Sequence, residues 1–599
     1  MNGIQVRRGR AAVVALAAGA LVLSACSSGS GGDGKGDDAG PQAKEQGLIE
    51  FADAKASTGP AEDVQGAKPG GTVRILQRDS FSHLDPGQIY VSDEGMLATL
   101  IHRRLTSVKM DNEGAYTVVG DLATDSGQVS DGGKTWKYTL KDGVKFEDGS
   151  PITSKDIRHT FERQFASFIT EGPTFVQSWL ADTAGADYRK LLPKGGYDGK
   201  HLPDSVLETP DEKTIIFHFK KPQNDLPYAV GMAGYGAVPD GKKDTKEKYD
   251  KKPLSTGPYK VQAFKPGKSA TLVRNSAWDP KTDSSRHQYP EKFEISFNHQ
   301  FEDSSKRIIS DTGENQYAAT FTNQVDAGSI QKVLGDPALK KRSVSGYQSY
   351  IAQYAMNMNT IKDKKVREAI THALPIKSVL APYGGSAGGE LAGGLISPLL
   401  PGYEKGYDPY GKLKNPNGDP AKAKKLLKEA GKTGMKLTYA YANSKEDQQV
   451  SVAVADALKK AGFNVQRKEL PADTYYDLVG KVDSGFDLYR NNWGHDWPSS
   501  ATVIPPLFDG RKIADGSNNY SHVNDPKINS EIDRISKISD PAKAAKEWFA
   551  LSKYVLEDVL PVVPAYYYKQ MQISGSKIGG AVYNDDLSGI DPTKLYVKK

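Results

Sequence analysis

A single cysteine, Cys26, stands in a chain of 599 residues. The chain can form no internal disulfide and offers no thiolate cluster for a metal, so its fold must be held together by buried apolar surface. Strand-like and helix-like segments alternate from residue 68 to the end, which is the pattern of an α/β protein. That length suffices for two or three domains.

The sequence around the cysteine is an address. Arg7, Arg8 and Arg10 give a basic start, residues 11–23 are apolar but too few to span a bilayer comfortably, and Leu23-Ser24-Ala25-Cys26 follow. Residues 1–25 therefore read as an export signal. The last four resemble the lipobox of bacterial lipoproteins, which implies cleavage before Cys26, a lipid on that residue and residence on the outer face of the cell membrane. The alternative is an ordinary secretory signal followed by a stray thiol. Residues 26–67 are dense in Gly, Ser, Asp and Lys and read as a flexible tether. About 40 such residues would have an r.m.s. span of roughly 35 Å.

The formal charge is +6, and residues 1–25 contribute three arginines and no acidic residue, leaving +3 for the rest. So even a balance argues against nucleic acid as a partner. The apolar patterning predicts strands at 73–76, 135–140 and 214–219 and a helix at 96–105. It also predicts a hairpin of 259–264 with 270–274 around Lys265-Pro266-Gly267-Lys268. Asp419-Pro420 and Asp540-Pro541 are helix starts. Between them lie a strand at 437–442, a helix at 450–461, a strand at 463–469 and a further strand at 486–489. Open α/β sheets bind ligands beyond the carboxyl ends of their strands, which directs attention to the residues after Tyr489.

Several separated strings, in order, are similar to the peptide and nickel family of solute-binding proteins that serve ABC importers. They are Gly70-Gly71-Thr72-Val73-Arg74-Ile75, then Leu84-Asp85-Pro86, then Asp131-Gly132-Gly133-Lys134-Thr135-Trp136-Lys137-Tyr138 through Gly149. Ser255-Thr256-Gly257-Pro258-Tyr259, Lys365-Val366-Arg367-Glu368-Ala369-Ile370, residues 422–431 and residues 561–568 complete the series. The resemblance implies a two-lobed periplasmic-binding-protein-like α/β fold with mixed sheets, of the large three-domain type II cluster. Lobe 1 would contain domain I (68–111, 255–346 and 565–599) and domain II (112–254), and lobe 2 would be domain III (347–564). The hinge would lie near 347–354 and 561–568. The implied partners are a peptide and the permease subunits of an ABC transporter, with a monomeric protein, no cofactor and no covalent chemistry.

The resemblance also carries a site. In Arg490-Asn491-Asn492-Trp493-Gly494-His495-Asp496-Trp497-Pro498, Asp496 matches an aspartate that pairs with a peptide's α-ammonium; the alternative is an Asp capping a turn. Trp493 would be an apolar wall or plain core, and Gly494 would admit the ligand backbone. Arg490 matches a position whose guanidinium faces a peptide carboxylate, against a plain surface arginine. Tyr568 matches a ligand-contacting tyrosine, with Tyr567 buried on the other face by strand alternation. Tyr90 and Ser92 match positions where an extended peptide adds like a strand.

Rival readings are weaker. The ten histidines include no HExxH spacing, so a protein-held catalytic metal is not expected. The strings Gly133-Lys134-Thr135, Gly267-Lys268-Ser269 and Gly431-Lys432-Thr433 lack the earlier glycine of a phosphate-binding loop. Ser329 to Lys332 and Lys432-Thr433-Gly434 are similar to strings of penicillin-binding enzymes, but no Ser-x-Asn lies between them as that family's order requires. A metal complex or an oligosaccharide as cargo, a secreted hydrolase, or a receptor for signalling peptides remain as alternatives.

Overall fold

A computed structural model describes residues 49–183 and 185–599. Cys26, the export signal and the first part of the expected tether lie outside the described residues. The protein is a two-lobed α/β structure whose three largest sheets, among the described residues, have five, four and six strands. The first, a mixed sheet, orders Ala318–Ala319, Thr72–Leu76, Lys292–Ser296, Ser269–Arg274 and Tyr259–Lys265 side by side. Its strands come from distant parts of the chain because Val73, Ile75, Leu272 and Phe293 share one apolar core. The second is an antiparallel sheet of Gln128–Ser130, Thr135–Thr139, Thr214–His218 and Leu207–Glu208, whose core holds Trp136, Tyr138 and Phe217.

The third sheet forms lobe 2 and orders Gly389–Leu391, Val562–Ile573, Ser343–Met356, Leu488–Gly494, Lys436–Ala442 and Asn464–Leu470. Two of its strands, Ser343–Met356 and Val562–Ile573, run antiparallel from one lobe into the other. At one end Met571 and Ile573 pack with Leu76 and Ile308 of lobe 1, while Ala352, Tyr354 and Met356 lie in the core of lobe 2. Their pairing breaks between Tyr347 and Ile351 and shifts again after Ala352. The break frees residues 348–350 from the neighbouring strand, as a bulge does where a side chain must be re-aimed.

The chain departs from the sequence reading at the tether. Residues 49–67 are packed: Glu50–Phe51 pairs parallel with Tyr116–Gly120, and Ile49 enters the core with Trp136 and Tyr138. Asp53 caps the short helix Ala54–Ser57, whose Ser57 Oγ accepts from Gly120 N at 2.8 Å. The polar average of the region hid two local apolar residues, Ile49 and Phe51. The boundary at 111/112 also fails, because it cuts the turn joining the antiparallel strands Thr106–Met110 and Tyr116–Gly120.

Lobe 1 is pinned by buried charge. Arg103 Nε meets Asp121 Oδ1 at 2.7 Å, and Arg286 meets Asp121 Oδ2 at 2.8 Å and Asp283 at 3.1 Å. The two guanidiniums hold the Asp121 carboxyl far below the usual carboxylate range, although burial alone pushes it up. A second cluster explains the Leu84-Asp85-Pro86 string. Asp85 binds both terminal nitrogens of Arg163 and caps the turn Pro86–Gln88, which delivers Tyr90 to the interlobe cleft.

Candidate functional site: the cavity between the lobes

A cavity of about 730 Å³ lies between the lobes, well within the size of small-ligand sites. Tyr90, Ser92, Arg104, Asp586 and Ser588 line it from lobe 1, and Tyr350, Tyr476, Trp493, Asp496, Tyr520 and Tyr568 from lobe 2. The lobes touch around it. Tyr90 donates its hydroxyl to Asp496 Oδ1 at 2.6 Å, and Asn224 Nδ2 donates to Ile538 O at 3.1 Å. Trp497 reaches from lobe 2 into the core of lobe 1, edge-on to Phe175 and Trp179, with its indole N–H donating to Asp225 at 2.8 Å.

Asp496 stands two residues past the end of the strand Leu488–Gly494. That strand was expected to end at Tyr489. It pairs parallel with Lys436–Ala442 only through Leu488 and Tyr489, then continues to Gly494 on antiparallel pairing with Ser343–Met356 alone. Pairing with the crossover strand Ser343–Met356 thus holds extended the polar Arg490-Asn491-Asn492 run that apolar patterning could not read as strand. The Asp496 carboxyl is half-buried, and among the described residues no cation pairs with it. Removal from water pushes its pKa up to about 6, with the Tyr90 hydrogen bond pulling the other way. It is a carboxylate without a counter-ion, facing a cavity.

The other expected residues divide. Trp493 is both wall and core: it lines the cavity, packs against the lobe 2 core, and its indole donates to Thr502 O at 2.8 Å. Tyr568 lines the cavity and donates to Asn492 Oδ1 at 3.0 Å, while Tyr567 is buried on the opposite face. Gly494 also lines it, but a Cβ there would meet the Tyr350 ring at 2.9 Å. This glycine makes room for the cross-strand tyrosine. Ser92 opens the helix Ser92–Ile101, expected at 96–105, so the extended stretch that a ligand could join ends at Val91.

Arg490 requires the largest correction. It is absent from the cavity wall, and its guanidinium pairs with Asp447 at 2.8 Å, donates to Tyr566 Oη at 3.0 Å and lies 4.7 Å from the Tyr383 ring centroid. It already has a counter-ion from the helix Lys445–Lys460 and is not available to a ligand carboxylate without breaking a buried pair. Sequence reasoning missed Tyr350, Tyr476, Tyr520, Arg104 and Asp586. No local motif marks them, and the cavity gathers them from five distant segments.

His495 lines the cavity too, and burial lowers its pKa to about 4, which leaves it neutral at ordinary pH. Among the described residues no group of three or more His, Cys, Asp or Glu side chains could hold a metal ion.

Two sheet-based lobes joined by two crossover strands around a tyrosine-rich cavity define a ligand-enclosing binding protein. Residues 117–515 match the family described as bacterial extracellular solute-binding proteins, family 5 (middle region), and the chain belongs to that family. It is 24% identical over 533 residues to the Escherichia coli protein named "Probable D,D-dipeptide-binding periplasmic protein", covering 85% of this chain and 90% of that one. The oligopeptide-binding protein of Bacillus subtilis is 22% identical over 587 residues, covering 94% of each chain. A solved structure described as clavulanic acid biosynthesis oligopeptide binding protein 2 superposes with a TM-score of 0.80 at 27% identity, covering 91% of this chain and all of that one.

Proposed function

We propose that this protein captures peptides outside the cell and delivers them to the permease of an ABC importer, acting as a monomer without catalysis. The observation that carries the reading is Asp496: a half-buried carboxylate, raised in pKa, with a tyrosine hydroxyl and, among the described residues, no cation as its partner. A peptide's α-ammonium supplies the missing positive charge, and its desolvation is offset only by such an acceptor. The Tyr90 hydroxyl then holds part of the place the ammonium takes. Ligand that bridges Tyr90 of lobe 1 and Asp496 of lobe 2 favours the closed state, which is what lets a permease tell loaded from empty protein.

Thermal stabilisation of the purified protein by random peptide pools tests this. Pools with free amino ends raise the melting temperature, and the same pools N-acetylated do so far less. Equal stabilisation by both would refute the role of Asp496, and hydrolysis of the peptides during the assay would refute the non-catalytic reading.

We also infer that Cys26 carries lipid and tethers the protein to the outer face of the membrane, on the sequence Leu23-Ser24-Ala25-Cys26 after an apolar leader. Labelled palmitate enters the wild-type protein and not Cys26→Ala in this account, and the variant is released to the medium.

A further inference from the structure

Arg103 and Arg104 are neighbours with opposite fates. Arg103 is fully engaged by Asp121 and Thr282. Arg104 has its main chain fixed, its N–H donating to Asp121 Oδ2 at 3.0 Å and its carbonyl accepting from Leu122 N at 2.8 Å. Only 6% of the residue is exposed, yet among the described residues its Nε has no acceptor. Nor does any oxygen of the described residues accept from its terminal nitrogens. Arg104 is also the only Arg or Lys among the described residues lining the interlobe cavity.

A buried guanidinium with unmet donors is an unfinished interaction, because its planar fork matches a carboxylate with two parallel hydrogen bonds. The charges around it agree with that need. Burial and the nearby Arg286 lower its pKa to about 10, and Asp586 is one of two carboxylates that help keep it charged. Asp586 lines the same cavity, exposed and without an ion pair to Arg104. The cation that the sequence offered for this task, Arg490, is already neutralised by Asp447.

We propose that Arg104 receives a carboxylate of the bound ligand, so that the cavity reads a zwitterion: an ammonium at Asp496 on lobe 2 and a carboxylate at Arg104 on lobe 1. This rests on the peptide reading and sharpens it to peptides with a free carboxyl group. A site with preformed donors discriminates strongly against an analogue that leaves them unpaired.

The test is calorimetric binding of random tripeptide and pentapeptide pools in three forms: free-ended, N-acetylated and C-amidated. Wild-type protein binds the free-ended pools at least about tenfold more tightly than the amides. Arg104→Met removes that difference while keeping the discrimination against acetylated amino ends. Asp586→Asn, which removes the exposed carboxylate of the same cavity, tightens free-ended binding and leaves the amides unchanged. Rejection of acetylated but not of amidated peptides by the wild type would overturn the Arg104 assignment and leave Asp496 standing. Indifference to both ends would overturn both. If Arg104→Met lacks a wild-type melting curve, Asp586→Asn decides: no tightening of free-ended binding sinks the proposal.

Discussion

Asp496→Asn removes one charge and little else. The amide is the same size, can still accept from the Tyr90 hydroxyl that lies 2.6 Å from Asp496 Oδ1, and no cation is left stranded in the empty protein. Burial disfavours the Asp496 carboxylate enough to raise its pKa to about 6, so the unliganded variant melts no lower than the wild type. Binding behaves differently. Breaking a buried ion pair by deleting one partner costs about 3–5 kcal/mol, and Asp496 is only half-buried, so the lower end applies. About 3 kcal/mol is roughly a 150-fold loss of affinity, and solvent screening reduces this to no less than about tenfold. Titration calorimetry with one free-ended peptide reads the change, and the N-acetylated form of that peptide loses little between wild type and variant. A variant that binds the free-ended peptide as tightly as the wild type refutes the reasoning.

Four further outcomes follow from the same geometry. Affinity for peptides with a free amine falls as pH drops through about 6, because the empty site's Asp496 takes up a proton there; isothermal titrations at pH 5 and 7.5 check it. Trp497→Ala empties the pocket formed by Phe175, Trp179 and Asp225, so the lobes part, and small-angle scattering of the unliganded protein shows a larger radius of gyration. Asp121→Asn leaves Arg103 and Arg286 without their shared carboxylate and destabilises the fold by about 3–5 kcal/mol in urea titrations. Deleting residues 1–67 strips Glu50–Phe51 from its neighbouring strand and Ile49 from the core, and the melting temperature falls relative to a chain starting at residue 27.

What could be read in advance was local or periodic. Asp419-Pro420 and Asp540-Pro541 open the helices Pro420–Glu429 and Pro541–Tyr554 because a carboxylate cap and a proline act within one turn. The hairpin around Gly267 and the burial of Tyr567 follow equally short rules. Asp496 was legible through its resemblance to a motif, and the structure sets it on the cavity. Arg490 was misread because its partner, Asp447, lies on a helix whose start at Lys445 is set by the Ser444 cap, ahead of the apolar residues that predicted it from 450. Tyr350 reaches the cavity only because two crossover strands fall out of register beside it. Arg104 and Asp586 line one cavity only when the ends of lobe 1 fold together, so no spacing rule could bring them together in advance.

The most direct measurement is a crystal structure of the protein grown with a free-ended tripeptide. The account predicts the peptide enclosed between the lobes, its ammonium nitrogen within about 3 Å of an Asp496 carboxylate oxygen. Peptide density elsewhere on the surface, or an enclosed peptide with its ammonium turned away from Asp496, contradicts it.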